Sequence, residues 1–377
     1  MAGSMFDLTG LPKRKKSSQA CTFPRHLSAV GFFSKIASYF RSRLDTVQVS
    51  STQSSYEIAK CKEIDAYKDV EDIHALPDIF HYWSHTYLRP VLLENNFSGI
   101  EDFFAKSLSA NIPSEGKPVF LSVGSGYCDT EIKVAQSLIQ RGIRSFKFEC
   151  LELNAGLLRR GREKAANEGL SDFFIFTEAD FNYWQPKVSY SGVMANHSLH
   201  HVVNLEGLFD NIKKALFDQQ GLFVVNDMIG RNGHQRWPEA LTIVSQVWDQ
   251  LPQSYRYNHQ LNRHEAEFIN WDCSGEGFEG IRSQDILPLL VERFRFNFFH
   301  GFANVVCPFI DRSFGHNFDA SADWDRSLID KLHQIDEDGF KSGKLKPTQM
   351  LAVMSTTVVN DPIYTRDLGP VFAVRKP

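Results

Sequence analysis

An α/β fold, doubly wound around a mostly parallel sheet with helices on both faces, follows from three features of the sequence. Short apolar runs alternate with segments of helical period between residues 119 and 226, which is the pattern of successive βα units. The first run breaks into Gly124-Ser125-Gly126 and then into a helix. Polar residues stand at the ends of the following runs, where a parallel sheet gathers its ligand contacts.

Residues 1–55 are rich in Ser, Lys and Arg and predict a flexible arm with one amphipathic piece over 32–40. Residues 56–115 predict a helical cap, because Leu76, Ile79, Phe80, Trp83, Tyr87 and Leu88 recur at threes and fours until Pro90 interrupts them. The core spans 116–230. Val119, Phe120, Leu121 and Val123 suit a strand covered on both faces. Ile132, Ala135, Leu138 and Ile139 then mark a helix that Gly142 ends. Four further strands are expected over 146–151, 173–176, 190–195 and 221–226, with Asn154 placed to cap the helix after the second. Residues 231–281 hold Trp237, Trp248, Tyr255, Tyr257 and Trp271 among polar residues without a clean period, and predict a lid or acceptor-binding insertion. Residues 282–377 complete the sheet through an aromatic run over 294–302, a helix over 324–335 and a final strand over 350–354.

Composition narrows the function. With 377 residues, 42% of them hydrophobic, the chain can bury a sizeable core. A net charge of −4 argues against a sequence-independent hold on nucleic acid, which needs a basic surface. The six cysteines show neither zinc-finger spacing nor a disulfide framework, and reduced thiols in a cytoplasmic protein are expected. No stretch of about 18 apolar residues is present, so no membrane span is expected.

The strand ends define a nucleoside-type site. Gly124 and Gly126 allow a sharp turn and a close approach to a ligand. Glu152 follows the second strand and stands 26 residues after Gly126, where a carboxylate can accept from a ribose diol. Asp180 and Phe181 follow the third, offering a carboxylate to an exocyclic amine and a ring to stack. Asn196, His197, His200 and His201 follow the fourth, and Asp227 the fifth. A dinucleotide would want a third glycine where Asp129 stands, and that charge opposes a pyrophosphate at a helix N-terminus. A cationic ligand has no such conflict.

In this order and spacing the motifs resemble those of the class I S-adenosylmethionine-dependent methyltransferases of small molecules. Residues 119–131 resemble their first motif, Leu151-Glu152-Leu153-Asn154 the second, Ala179-Asp180-Phe181 the third, and residues 192–201 the fourth. Residues 221–227 resemble the fifth strand. The resemblance implies a Rossmann-like sheet of seven strands with the last antiparallel. It also implies S-adenosylmethionine as cofactor, held by Gly124, Ser125, Gly126, Glu131, Glu152, Leu153, Asp180, Phe181, Asn196 and His197. Two positions depart from the pattern: Ser122 stands where an acid is usual and Cys128 where a third glycine is usual, with Glu131 in reach to supply the carboxylate.

Methyl transfer to a hydroxyl of a natural product or sugar-like metabolite is the leading expectation. N- or C-methylation, an NAD-dependent oxidoreductase and a non-catalytic cofactor-binding subunit are the alternatives. His200, His201, His234 and Asp227 are the candidate catalytic groups, since histidine titrates near neutrality. Arg231, Arg236 and Trp237 are the candidate acceptor-binding residues, a guanidinium fork suiting carboxylate or phosphate. Asp180, Asn226 and Asp227 offer oxygens for magnesium, but no second set of oxygen ligands accompanies them, and no metal is assigned. A small-molecule acceptor is the expected partner, and a homodimer is left open.

Overall fold

The computed structural model describes residues 53–67, 75–112, 116–218, 220–275 and 277–375. Residues 1–52 of the expected arm, with its amphipathic piece, lie outside the described residues.

The strands are β1 (Val119–Val123), β2 (Lys147–Glu152), β3 (Phe174–Glu178), β4 (Gly192–Asn196), β5 (Leu222–Met228), a ribbon of β6 (Tyr257–Asn258) and β7 (Arg263–His264), then β8 (Arg295–Phe302), β9 (Gln349–Ser355) and β10 (Ile363–Tyr364). The main sheet runs β10-β8-β9-β5-β4-β1-β2-β3. β1 to β5 pair in parallel, while β9 enters between β5 and β8 antiparallel to both. All-parallel dinucleotide-binding sheets have the order 3-2-1-4-5-6. The inserted antiparallel strand separates this sheet from them. The expected final strand is therefore present with its expected direction. An eighth strand was not expected: β10 adds two residues at the outer edge of β8, paired through Ile363 with Phe298 and Tyr364 with Phe299, too short to carry a period.

Alternate residues of each strand feed two cores. Phe120, Phe148, Phe174, Met194 and Val224 pack on one face. Leu121, Val123, Leu151, Val193, Ala195 and Val225 pack on the other. Both faces are apolar, so the strands read as unbroken hydrophobic runs rather than alternating ones.

The longer helices are α1 (Gln53–Ala66), α2 (Ile100–Leu108), α3 (Asp129–Gln140), α4 (Ala155–Asn167), α5 (Leu205–Phe217), α6 (Pro238–Gln250), α7 (Ser283–Arg293) and α8 (Asp323–Ser342). α2, α3, α6 and α8 contribute to the first core, α5 and α7 to the second. Asn154 caps α4, its Oδ1 accepting from Gly156 N and Leu157 N, and Asn204 caps α5 the same way through Gly207 N. The helical-cap region divides: α2 is a layer on the sheet face, whereas α1 lies over the carboxyl ends of the strands. The aromatic stripe over 76–88 is core packing, with Ile79 and Trp83 fully buried and the Tyr82 and Tyr87 hydroxyls donating to Asp330.

The expected aperiodic insertion contains α6. Ala240, Val244, Val247 and Trp248 recur at helical spacing and are buried, and Pro238 opens the helix at its first turn. The flanking aromatic residues hid that period.

Candidate functional site

The chain order reverses between β1 and β4, which puts a crevice at the carboxyl ends of these strands. The glycine turn forms one wall. Gly124 N and Ser125 N both donate to Leu151 O, tying the turn to β2. Gly124 has φ +68°, and a Cβ there would lie 2.5 Å from Ser198 Cβ, so no other residue fits. Gly126 also has positive φ, but a Cβ there would meet nothing within 4 Å: its open side faces the crevice. Cys128 takes a left-handed conformation, φ +61°, where glycine was expected, and its sulfur lies so close to α4 that only Gly161 is tolerated opposite.

Ser122 and Glu131 answer one another. The Ser122 hydroxyl donates to Glu131 Oε1 at 2.6 Å, and both residues are buried. The carboxylate that β1 lacks thus arrives from the first turn of α3. Burial pushes the Glu131 carboxyl up to about 7. Asp129, in the same turn, pairs with Lys164.

The end of β2 is fixed by backbone donors. Glu152 accepts from Gly126 N through Oε2 and from Asn154 N through Oε1, each at 2.9 Å. Each oxygen keeps a second lone pair. Burial raises the Glu152 carboxyl against these hydrogen bonds. Leu153 and Phe181 are buried in the second core. Asp180 is engaged by α1: the Tyr56 hydroxyl lies 2.7 and 2.8 Å from its two oxygens, and Lys60 is 3.3 Å away. Asn182 supports the same contact by donating to Tyr56.

β4 and β5 end in an imidazole cluster. Asn226 Nδ2 donates to Asn196 Oδ1, and Asn196 Nδ2 donates to Thr130 Oγ1, joining both strands to α3. His197 is exposed with φ +52°, a strained conformation for its type. His200 Nδ1 lies 2.6 Å from Asp227 Oδ1. Asp227 is sealed from solvent and accepts as well from Ser198 N, Leu199 N and Met228 N. Burial acts to raise the Asp227 carboxyl, but His200 and these donors outweigh it and hold it down at about 2. His201 Nδ1 has Glu63 Oε1 of α1 at 2.8 Å, without hydrogen-bond alignment.

Glu279 closes the cluster. Its Oε1 is 2.5 Å from His234 Nε2 and 3.6 Å from His200 Nε2, and its Oε2 is 3.8 Å from His201 Nε2. Partial burial would raise the Glu279 carboxyl, yet the three imidazoles hold it well below the usual range. His201 is pushed up to about 9: burial would lower it, but Glu279 and Glu63 prevail. Tyr67, half-buried, has its ring 6.1 Å from that of His201.

The structure brings His200, His201, His234 and Asp227 together. It changes the task of Asp227, whose four acceptor contacts leave it to orient His200 rather than meet an acceptor. Arg236 and Trp237 are corrected more fully. The Arg236 guanidinium donates to Asn304 O and His234 O, anchoring the loop that carries His234. Trp237 is 6% exposed, with Arg231 and Arg375 over its ring at 5.7 and 4.7 Å. An acceptor clamp is not available from either. The magnesium set fails too, because Asp180 belongs to Tyr56 and Lys60 while Asp227 is consumed by its donors.

Four residues that contact this site escaped the sequence reading: Tyr56, Glu63, Tyr67 and Glu279. Only Glu279 left a signal, as an acid in Gly277-Phe278-Glu279-Gly280 between two glycines of positive φ. A separate groove of about 530 Å³ lies between α1 and residues 274–281, lined by Tyr56, Lys62, Val203 and Phe278, and holds none of the imidazoles.

No protein-family model matches the chain, and no curated protein matches it in sequence. Solved structures share its outline at low identity. An O-methyltransferase from a trans-AT polyketide synthase multienzyme of Brevibacillus brevis, in complex with S-adenosyl-L-homocysteine, is 12% identical over 76% of this chain and 85% of its own, with a TM-score of 0.40. The geranyl diphosphate C-methyltransferase of Streptomyces coelicolor A3(2), with Mg2+, a thiolodiphosphate substrate analogue and S-adenosyl-L-homocysteine, is 11% identical over 67% and 75%, with a TM-score of 0.38.

Proposed function

We propose that this chain is an S-adenosylmethionine-dependent methyltransferase of the class I type that methylates a hydroxyl of a small molecule. The observation that carries the reading is the sheet itself: a glycine turn and Glu152 flank the switch point of a sheet whose antiparallel β9 enters between β5 and β8. The inserted antiparallel strand agrees with the antiparallel last strand that the resemblance implies, and it departs from the dinucleotide-binding order. Charge agrees. Asp129 and Glu131 both stand in the first turn of α3, which disfavours a pyrophosphate and suits a cofactor bearing an ammonium and a sulfonium.

Each group then has a role. Glu152 accepts from the ribose diol with the lone pairs that Gly126 and Asn154 leave free, and Glu131 faces the ammonium. Asp180 stands at the adenine end. The Asp227 contact directs the Nδ1 proton of His200 inward and leaves Nε2 as the proton acceptor. His200 Nε2 would take the acceptor's O–H proton, and the cofactor, when bound, would supply the methyl group, its sulfur keeping the carbon–sulfur electron pair. Holding the acceptor in position would contribute about 7–11 kcal/mol in favourable cases. α1 excludes water from the strand ends.

The experiment is calorimetry with S-adenosylmethionine and with NAD, followed by labelled-methyl transfer into a metabolite extract. Micromolar binding of the sulfonium with none of NAD, and a labelled product that keeps its label in mild base and releases it as methyl iodide in hot hydriodic acid, as a methyl ether does, are expected. Binding of NAD alone overturns the reading.

A further inference from the structure

Three imidazole nitrogens converge on one carboxylate, and the distances among them pose a problem that protons solve only in part. His234 Nε2 sits 2.5 Å from Glu279 Oε1, within hydrogen-bond distance. His200 differs. Its Nδ1 proton is directed at Asp227, so Nε2 presents a lone pair, 3.6 Å from a carboxylate oxygen that presents another. His201 Nε2 lies 3.8 Å from Glu279 Oε2, with its Nδ1 toward Glu63. Neither separation is a hydrogen bond. Two ring nitrogens and a carboxylate held apart in this way, with two further carboxylates beside them, suit a cation that takes the place of the His201 proton.

The spacing lies a short side-chain movement from that of a metal site. One nitrogen from each of His200 and His201 and one oxygen of Glu279 all lie within 4.8 Å of one another. For metal–ligand bonds of about 2.0–2.1 Å, neighbouring ligands of a tetrahedral ion stand about 3.4 Å apart. Asp227 accepts at the far ring nitrogen of His200, the arrangement that fixes the tautomer of a metal-bound imidazole, and Glu63 lies 2.8 Å from the far ring nitrogen of His201. His234 would then hold Glu279 in place from behind.

We propose that His200, His201 and Glu279 form a site for a divalent first-row transition metal of the zinc type. Two histidines and one glutamate leave at least one coordination position open. A hydroxyl bound there ionises more readily, as bound water does. This use of the metal rests on the methyl-transfer reading above; the site does not. With the metal bound, the His200 lone pair is a ligand, and ionisation of the acceptor passes to the ion.

The test uses the full chain after treatment with a chelator. Added cobalt(II) should bind one equivalent and give visible ligand-field bands, and zinc should displace it. Glu279→Gln and His201→Gln should each weaken zinc by about a hundredfold in protein that circular dichroism shows to be folded, with S-adenosylhomocysteine affinity near that of the parent. His234→Ala should weaken it by about tenfold. Absence of stoichiometric cobalt binding, or binding that both Gln variants retain, overturns the site. Methyl transfer by a protein that binds no metal overturns the metal and leaves the base mechanism; a metal-binding protein with no affinity for the sulfonium keeps the site and removes the methyltransferase reading.

Discussion

His200 Nδ1 meets Asp227 Oδ1 at 2.6 Å across the ends of β4 and β5, with both side chains sealed from solvent. The contact selects one tautomer of His200 and aims its Nε2 into the crevice. Asp227→Asn keeps the shape but offers an amide hydrogen where an acceptor is needed. Turnover should fall by about 10²–10⁴-fold with S-adenosylhomocysteine affinity nearly unchanged. Steady-state kinetics and calorimetry on the same preparation check this. Full activity would show that His200 takes no part in the chemistry.

The two glycines of the turn should separate stability from binding. Gly124→Ala forces a Cβ to within 2.5 Å of Ser198 Cβ at positive φ, and should destabilise the fold. Gly126→Ala meets no protein atom, so its cost to the fold is only the left-handed conformation, about 1–2 kcal/mol. Its methyl would occupy space at the crevice. Thermal melting and cofactor titration of the pair check the contrast: Gly126→Ala should lose at least tenfold in affinity with a small change in melting temperature. Equal losses in both measures would place the cofactor elsewhere.

Much of the fold was legible because both faces of β1 to β5 are covered, leaving unbroken apolar runs that end in glycine or in a polar residue. The glycine turn, Glu152 and the histidines after β4 follow from that pattern directly. What remained hidden depends on long-range contact. Glu63 lies in α1, more than a hundred residues from His201, and no local pattern distinguishes it from a surface acid on a helix. Arg236 and Trp237 looked like ligand groups because they share a loop with His234, but their partners, Asn304 and Arg375, come from far along the chain. α6 was obscured by the aromatic residues around it.

Glu131 should give the protein a measurable pH dependence. Its folded carboxyl titrates at about 7, above the ordinary 4.5, so the folded state holds a proton that the unfolded chain has released between those values. Stability is then full below pH 4.5 and falls as pH rises to 7, after which the loss is constant. Glu131→Gln keeps an acceptor for Ser122 and removes the titration. The variant should melt higher than the parent at pH 8 and equally at pH 4.5, while binding S-adenosylmethionine more weakly at pH 8 through loss of the charge facing the ammonium. A variant destabilised at pH 8 would show that the fold favours the ionised carboxylate and that burial does not raise the titration of Glu131.

Tyr56 ties α1 to the end of β3. Its hydroxyl reaches both oxygens of Asp180, Asn182 donates to it, and Lys60 on the next turn adds an ion pair. Further along the helix, Asn154 Nδ2 donates to Ile64 O, and Glu63 accepts from Phe278 N. α1 is therefore held at both ends across the crevice, and Tyr56→Phe releases one of them. A hydrogen bond to a charged group contributes about 1.5–3 kcal/mol when buried, and this one is only partly so. S-adenosylhomocysteine should dissociate several-fold faster from Tyr56→Phe, with little change in global melting, because α1 carries few core residues. Stopped-flow displacement measures the rate directly. Slower dissociation would mean that the Tyr56 hydroxyl competes with the cofactor for Asp180, and that α1 opposes binding instead of closing over it.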